Sequence, residues 1–236
     1  MKPITREGLS LIFDADDTLW ASNVHFRDAE REFAGTLRNA GIAADVADVR
    51  AAVRRFELDI IRTHGYGRGP YVLALHRALD MLAETPATAQ RLRPAIDELG
   101  ARFVNRECEV FPGVDETLAV LATRHRLLVF TKGQRDEQIR KLDRSGLAGH
   151  FSRVEVTPEK DHAAYDGLVA RAGLDRAVTF MIGNSPRSDI NPALKAGLGA
   201  VFIPHPETWE HEHAEIDRLE SRLIELENFL QLLEVF

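Results

Sequence analysis

The sequence predicts a doubly wound α/β domain interrupted by an all-helical insertion, and three features carry that expectation. Short, continuous apolar runs rich in β-branched or aromatic residues end in polar residues or turn formers, as strands buried on both faces of a parallel sheet do. Helical patterns alternate with those runs through the second half of the chain, the arrangement of a sheet covered by crossover helices. Between the first run and the second lie roughly ninety residues, far more than the single helix a parallel crossover needs.

The first strand is "LSLIFDAD" (9–16), and the insertion follows from about Trp20 to Glu109. This divides the chain into a core of 1–19 with 109–236 and a helical module of 20–108. Within the module, Phe26, Ala29, Phe33, Leu37 and Ala40 keep helical spacing, as do Val46, Val49, Val53 and Ile60, and then Val72, Leu75, Leu79 and Leu82. Thr85-Pro86 ends the third helix, a fourth runs to about Arg106, and the glycine-rich "HGYGRGPY" (64–71) reads as a loop. Beyond the module, "VDETLAVLATRH", "RDEQIRKLDRSGLAGH", "KDHAAYDGLVARAGL" and "PALKAGLG" are helices. They alternate with strands at "RLLVFTKG", "RVEVT", "AVTFMIGNS" and "GAVFIPH". The tail supports two readings. Ile216, Leu219, Leu223, Leu226, Leu230 and Leu233 lie three and four apart, as in a short coiled-coil seam. Alternatively "RLIEL" is a sixth strand followed by a short helix, "NFLQLLEVF"; this reading is favoured, because so few heptads are little support for a coil.

A chain of 236 residues, 44% hydrophobic, can bury a sizeable core. A formal charge of −7 without a basic run argues against a nucleic-acid polymer as partner. Cys108 is the one cysteine, which excludes an intrachain disulfide and a multi-Cys zinc site. No stretch suits a signal peptide, and none approaches the ~18 apolar residues of a membrane span, so a soluble cytoplasmic protein is expected. Monomer and homodimer are both open.

Ligands of an open parallel sheet bind outside the carboxyl ends of its strands. The polar residues of this sequence gather there. Strand one ends at Asp14 and Asp16, strand two at Thr131 and Lys132, and strand four at Asn184 with Asp189 beyond; Lys160 follows strand three. Two carboxylates two residues apart on extended chain point the same way, so Asp14 and Asp16 can share a site. Their repulsion calls for a cation, and a set of oxygen ligands without His or Cys points to Mg²⁺. Lys160 adds positive charge suited to a dianionic phosphate.

"DADDT" (14–18), Thr131, Lys160 and "GNSPRSD" (183–189) resemble, in order and at strand ends, the four motifs of the haloacid dehalogenase superfamily. The resemblance implies a Rossmann-like core with a helical cap inserted after the first motif. It also implies a Mg²⁺-dependent phosphomonoester hydrolase acting on a small phosphorylated metabolite or nucleotide. Asp14 would then be the nucleophile that forms an aspartyl-phosphate, and Asp16 the general acid and later base, its backbone carbonyl on Mg²⁺. Thr131 and the following amides, Gly133 included, would hold phosphoryl oxygens, and Lys160 would offset charge. Asn184 stands where the family often has Asp, which leaves Asp189 as the only carboxylate of that motif, acting through water or a hydrogen bond. Lys132 faces either phosphate or solvent, and Tyr66 and Arg68 in the module's loop are candidate substrate contacts.

Within the superfamily, Asp16 argues against a dehalogenase, and the absence of lysine from residues 3–131 argues against Schiff-base phosphonate chemistry. A phosphomutase remains compatible, as does, more distantly, a non-catalytic phosphate-binding role of the receiver-domain kind. "FDADDTLW" also resembles the pyrimidine-nucleotidase branch, where an acid likewise follows the second motif aspartate. Asp17 is out of phase with its neighbours, at a position where the family commonly has glycine, and a turn or hinge role is expected. His211 and His213 read as surface residues.

Overall fold

The computed structural model describes residues 4, 6–216, 218 and 220–236. The chain forms two compact units, Met1–Asn23 with Cys108–Phe236 and Val24–Glu107.

The helical unit is built from α1 (Asn23–Asn39), α2 (Val46–His64), α3 (Arg68–Leu82) and α4 (Pro86–Asn105). Asp45 and Asp48 cap α2 reciprocally, each carboxylate accepting the other's backbone N–H at 2.9 Å. Thr85 caps α4 through the Thr88 N–H, and Pro86 takes the first helical position, where a missing N–H costs nothing. The glycine-rich loop is shorter than expected. The third helix already starts at Arg68, because Pro70 falls in its first turn, where an unpaired N–H would be an orphan in any case. Phe33, Leu37, Val49, Val53, Leu75, Leu79 and Ile96 fill the core of this unit. Phe26 packs edge-on against both Tyr71 and Phe103, at 4.7 and 4.8 Å between ring centres.

The other unit is a six-stranded parallel sheet of order β3-β2-β1-β4-β5-β6. Its strands are β1 (Ser10–Phe13), β2 (Arg126–Lys132), β3 (Arg153–Thr157), β4 (Thr179–Gly183), β5 (Gly199–Phe202) and β6 (Leu223–Glu225). The chain steps outward from β1 through β2 to β3, then returns to the other side of β1 with β4, which puts the topological switch point at β1. The period of two sorts the side chains between the two faces. Leu11 and Phe13 lie with Leu127, Val129, Phe180 and Ile182 against α5 (Val114–Ala122) and the C-terminal tail. Ile12 lies with Leu128, Phe130 and Met181 against α7 (His162–Ala172) and α8 (Asn191–Lys195). The remaining helices are α6 (Arg135–Ser145), between β2 and β3, and α9 (Leu232–Val235) at the end of the tail.

In the tail, β6 pairs in parallel with β5 and α9 follows, so Leu223 belongs to a strand and not to a helical seam. Leu219, the second residue of the alternative seam, lies outside the described residues. The junction between the units lies beyond Trp20 for a local reason. Trp20 is bridged to Val110, and the Ala21 N–H donates to the Glu109 carbonyl at 2.9 Å, which keeps 20–23 with the sheet. Among the described residues no helix is long and apolar enough to cross a membrane.

Candidate active site

The Asp14 N–H still donates to the Ile182 carbonyl at 2.9 Å, so the ladder carries Asp14 to the end of β1 before the chain turns away. One carboxylate oxygen of Asp14 accepts from Lys160; the other receives the Thr18 hydroxyl at 3.3 Å. Lys160 stands between β3 and α7, with its side chain 1% exposed, and donates also to Asp189 at 2.7 Å. The second oxygen of Asp189 accepts the Ser185 N–H at 2.9 Å. Gly183 is required by that arrangement: a Cβ there would lie 2.2 Å from the Asp189 Oδ2. Asn184 turns its Oδ1 to the same Thr18 hydroxyl at 3.2 Å and donates from Nδ2 to Thr208 at 2.8 Å. Thr131 is buried at the end of β2, where its hydroxyl donates to the Lys132 carbonyl at 3.4 Å. The structure thus joins Asp14 to Asp189 through Lys160 and to Asn184 through Thr18, a residue of the first motif to which sequence reasoning gave no role.

The electrostatics follow from two carboxylates sharing one ammonium. Burial pushes the Asp14 pKa up, Lys160 draws it back and Asp189 pushes it up again, to about 7. Asp189 is likewise raised, chiefly by burial. Burial would lower Lys160, but Asp14 and Asp189 together prevail and raise it.

Oxygen ligands are present for a hard cation. Asp14 Oδ2 and Asn184 Oδ1 both face the one proton of the Thr18 hydroxyl, so buried acceptor capacity exceeds the donors supplied. Among the described residues no three His, Cys, Asp or Glu side chains cluster as a cation cage. One carboxylate and one amide suit Mg²⁺, which keeps several waters and rarely takes an all-protein cage. Both Asp189 oxygens are engaged by Lys160 and Ser185, which leaves that residue a supporting part.

Asp16 departs from expectation. Its carboxylate accepts from Lys141 Nζ at 2.5 and 2.7 Å, from Gln138 Nε2 at 2.9 Å and from the Trp20 indole N–H at 2.7 Å. Burial alone would raise its pKa, but the Lys141 charge and these donors overcome it and hold it at about 2. The resting Asp16 is therefore an anion, a proton acceptor and not a poised donor, and its side chain is not among the oxygens that face Thr18. Lys141 matched no motif in the sequence. The available signal was spacing, since Gln138 and Lys141 are polar residues three apart on the buried face of α6, where a sheet-covering helix is ordinarily apolar.

Asp17 is the one non-glycine residue with positive φ, +61°, among those described. Its carboxylate accepts the N–H groups of Ser22 at 2.8 Å and Asn23 at 3.1 Å, which is the work of a turn residue.

Of the four expected substrate contacts, Lys132 and Arg68 are engaged by partners within the protein. Lys132, expected to face either phosphate or solvent, pairs with Glu212 and donates to Ser188 at 2.9 Å. Glu212, from a stretch that reads as exposed, is drawn in by Lys132 and by Ser185 at 2.5 Å. Burial would raise its pKa, and Lys132 holds it below the usual range. Gly133 has φ +136°, and a Cβ there would lie 2.9 Å from Gln138 Nε2. Arg68, expected to offer a guanidinium to a second anion, is 2% exposed within the helical unit and donates to the carbonyls of Arg106 at 2.6 Å and Phe103 at 3.4 Å. Its head group ties the start of α3 to the end of α4. Tyr66 lies half-buried in the short turn before α3. Of the two histidines expected at the surface, His213 is exposed and His211 half-buried, its ring packed against Trp209.

A parallel sheet with an aspartate at the switch-point strand, a lysine beyond the third strand and an Asn/Asp pair beyond the fourth defines a class. Residues 10–197 match the haloacid dehalogenase-like hydrolase family, and the chain belongs to it. Among individual proteins, it is 31% identical over 144 residues to a phosphoserine phosphatase of Thermus thermophilus, a match covering 57% of this chain and 55% of that one. The chain thus spans about half the length of that relative. It is 26% identical over 234 residues to a glyceraldehyde 3-phosphate phosphatase of Methanothermobacter thermautotrophicus, covering 92% of this chain and 95% of that one. The crystal structure of a haloacid dehalogenase-like family hydrolase from Xanthomonas campestris superposes with a TM-score of 0.78 at 30% identity, over 96% of this chain and 93% of that one.

Proposed function

We propose that the protein is a Mg²⁺-dependent phosphomonoester hydrolase acting on a small phosphorylated metabolite or nucleotide in the cytoplasm. The observation that carries the reading is Asp14 itself. It is a buried carboxylate at the switch-point strand, with Lys160 on one oxygen and a second oxygen turned toward Thr18 and Asn184. The two phosphatase relatives support the same reaction class.

An Asp14 oxygen attacks phosphorus in line, and the bond from phosphorus to the ester oxygen breaks as the aspartyl-phosphate forms. Lys160, held by Asp189, offsets the charge of the nucleophile and of the phosphoryl oxygens. Thr131 stands at the end of the neighbouring strand to orient that group. The alcohol leaves with a proton, which Asp16 can give only after gaining one. Water then attacks phosphorus, the bond to Asp14 breaks and inorganic phosphate forms; the anionic Asp16 is already in the state that accepts the proton of that water. Asp14 and Asn184 would hold the cation, which when bound supplies Lewis-acid stabilisation of the phosphoryl oxygens.

The test is turnover of p-nitrophenyl phosphate with Mg²⁺ and with EDTA. Activity should require the metal and fall by at least about 10³-fold in Asp14→Asn, as for removal of a covalent nucleophile. Substantial activity in that variant would exclude Asp14 as nucleophile.

A further inference from the structure

We infer that Lys141 is the positioning residue of the reaction: together with Gln138 and Trp20 it fixes the carboxylate of Asp16 for proton transfer. This rests on the hydrolase reading above.

Asp16 lies beyond the end of β1, where its backbone is bridged only to Trp20, and its side chain is 30% exposed, so packing alone does not select its rotamer. Four hydrogen bonds do. Lys141 reaches both oxygens, Gln138 holds Oδ2, and the Trp20 indole holds Oδ1. The three donors come from two segments, α6 and the turn after β1, so the carboxylate is fixed from two sides.

Lys141 costs the fold something to keep. Its side chain is 7% exposed, and burying an ammonium carries a penalty that a hydrocarbon at the same helix position would avoid. Among the described residues, the carboxylate it meets is that of Asp16, and its ammonium also lies 6.0 Å from the centre of the Trp20 ring. Gln138 spends its amide on the same target and on the Lys132 carbonyl, at 2.9 Å each. One face of α6 is thus polar toward one carboxylate. An arrangement that served only to cover the sheet would be apolar at 138 and 141, as it is at Leu142.

The experiment compares two esters of nearly the same shape, p-nitrophenyl phosphate and phenyl phosphate. Nitrophenolate leaves readily without a proton, whereas phenolate needs one, so a misplaced Asp16 penalises the second ester selectively; loss of the Lys141 charge acts the other way, since an ammonium beside a carboxylate disfavours its protonated form, and a selective loss therefore reports position and not charge. Lys141→Met should lower kcat on phenyl phosphate by about tenfold or more beyond any loss on p-nitrophenyl phosphate, within the range general acid catalysis supplies. Lys141→Arg, which keeps charge and donors, should restore most of the ratio between the esters. In an Asp16→Asn background, Lys141→Met should add no further selective loss, because the group it positions is already gone. Should Lys141→Met fail to fold, Gln138→Leu must show the same selectivity in milder form. Equal losses on both esters, or a selective loss that persists in the Asp16→Asn background, would refute the inference while leaving the hydrolase reading intact. A wild-type protein that turns over neither ester refutes the hydrolase reading, and the inference with it.

Discussion

Asp17 makes a quantitative test of how the turn after β1 is held. Replacement by Ala, Gly and Asn separates two contributions, the positive φ and the carboxylate that accepts two backbone N–H groups. Gly meets the +61° backbone at no steric cost but abandons the N–H of buried Ser22 and that of Asn23. At about 1–3 kcal/mol for an orphaned buried donor, with Asn23 partly hydrated, a loss of about 2 kcal/mol is expected. Ala abandons the same donors and adds about 1–2 kcal/mol for a left-handed L-residue, so its loss is about 3–4 kcal/mol. Asn tolerates the backbone and keeps an acceptor oxygen, so its loss at neutral pH is about 1 kcal/mol or less. Urea denaturation of the three variants reads the order Asn, Gly, Ala directly. The titration adds a second axis. Burial raises the folded-state pKa of Asp17 from 3.8 to about 7. The stability this group contributes is therefore complete below the unfolded value and is lost as pH rises through about 7. Asn has no such loss, so its deficit against wild type should narrow between about pH 5 and pH 8. An Ala variant as stable as Gly would refute the strain argument, and a Gly variant as stable as wild type would refute the role given to the carboxylate.

Gly183→Ala sets a Cβ 2.2 Å from Asp189, which Lys160 and the Ser185 N–H hold in place. Stability should drop by about 1–3 kcal/mol in urea titrations and turnover of p-nitrophenyl phosphate at least tenfold, as Lys160 loses its anchor. In the helical unit, burial and then Glu30 raise Glu57 from 4.5 to about 7, so the wild type loses stability as pH climbs through that interval. Glu57→Gln should flatten this fall, by at most about 3–4 kcal/mol at about 1.4 kcal/mol per pKa unit, in thermal melts recorded at a series of pH values.

Much of this structure is legible in the sequence because the signals are local and periodic. Continuous apolar strands, the Thr85-Pro86 break and the acids at the end of β1 each state their own position. What escapes is pairing between distant residues. Lys132 meets Glu212 across 80 positions and Lys141 meets Asp16 across 125, and no periodicity encodes either. The same limit misplaced Arg68. A guanidinium beside glycines in sequence reads as a ligand, yet two backbone carbonyls at the end of a helix 35 to 38 residues away claim it. Asp17 was legible through phase alone, since a residue one step off the Asp14–Asp16 alternation cannot share their direction.

The lysines have a practical consequence. The sequence holds five; Lys2 lies outside the described residues, and Lys132, Lys141 and Lys160 are each tied to a carboxylate at the sheet's carboxyl edge. Lys195, at the end of α8, is exposed. An acylating dye or an activated surface needs an accessible, deprotonated amine, and among the described lysines Lys195 alone is accessible. Among the described residues the fold thereby offers one exposed lysine for covalent attachment, and it is none of the groups assigned to the chemistry.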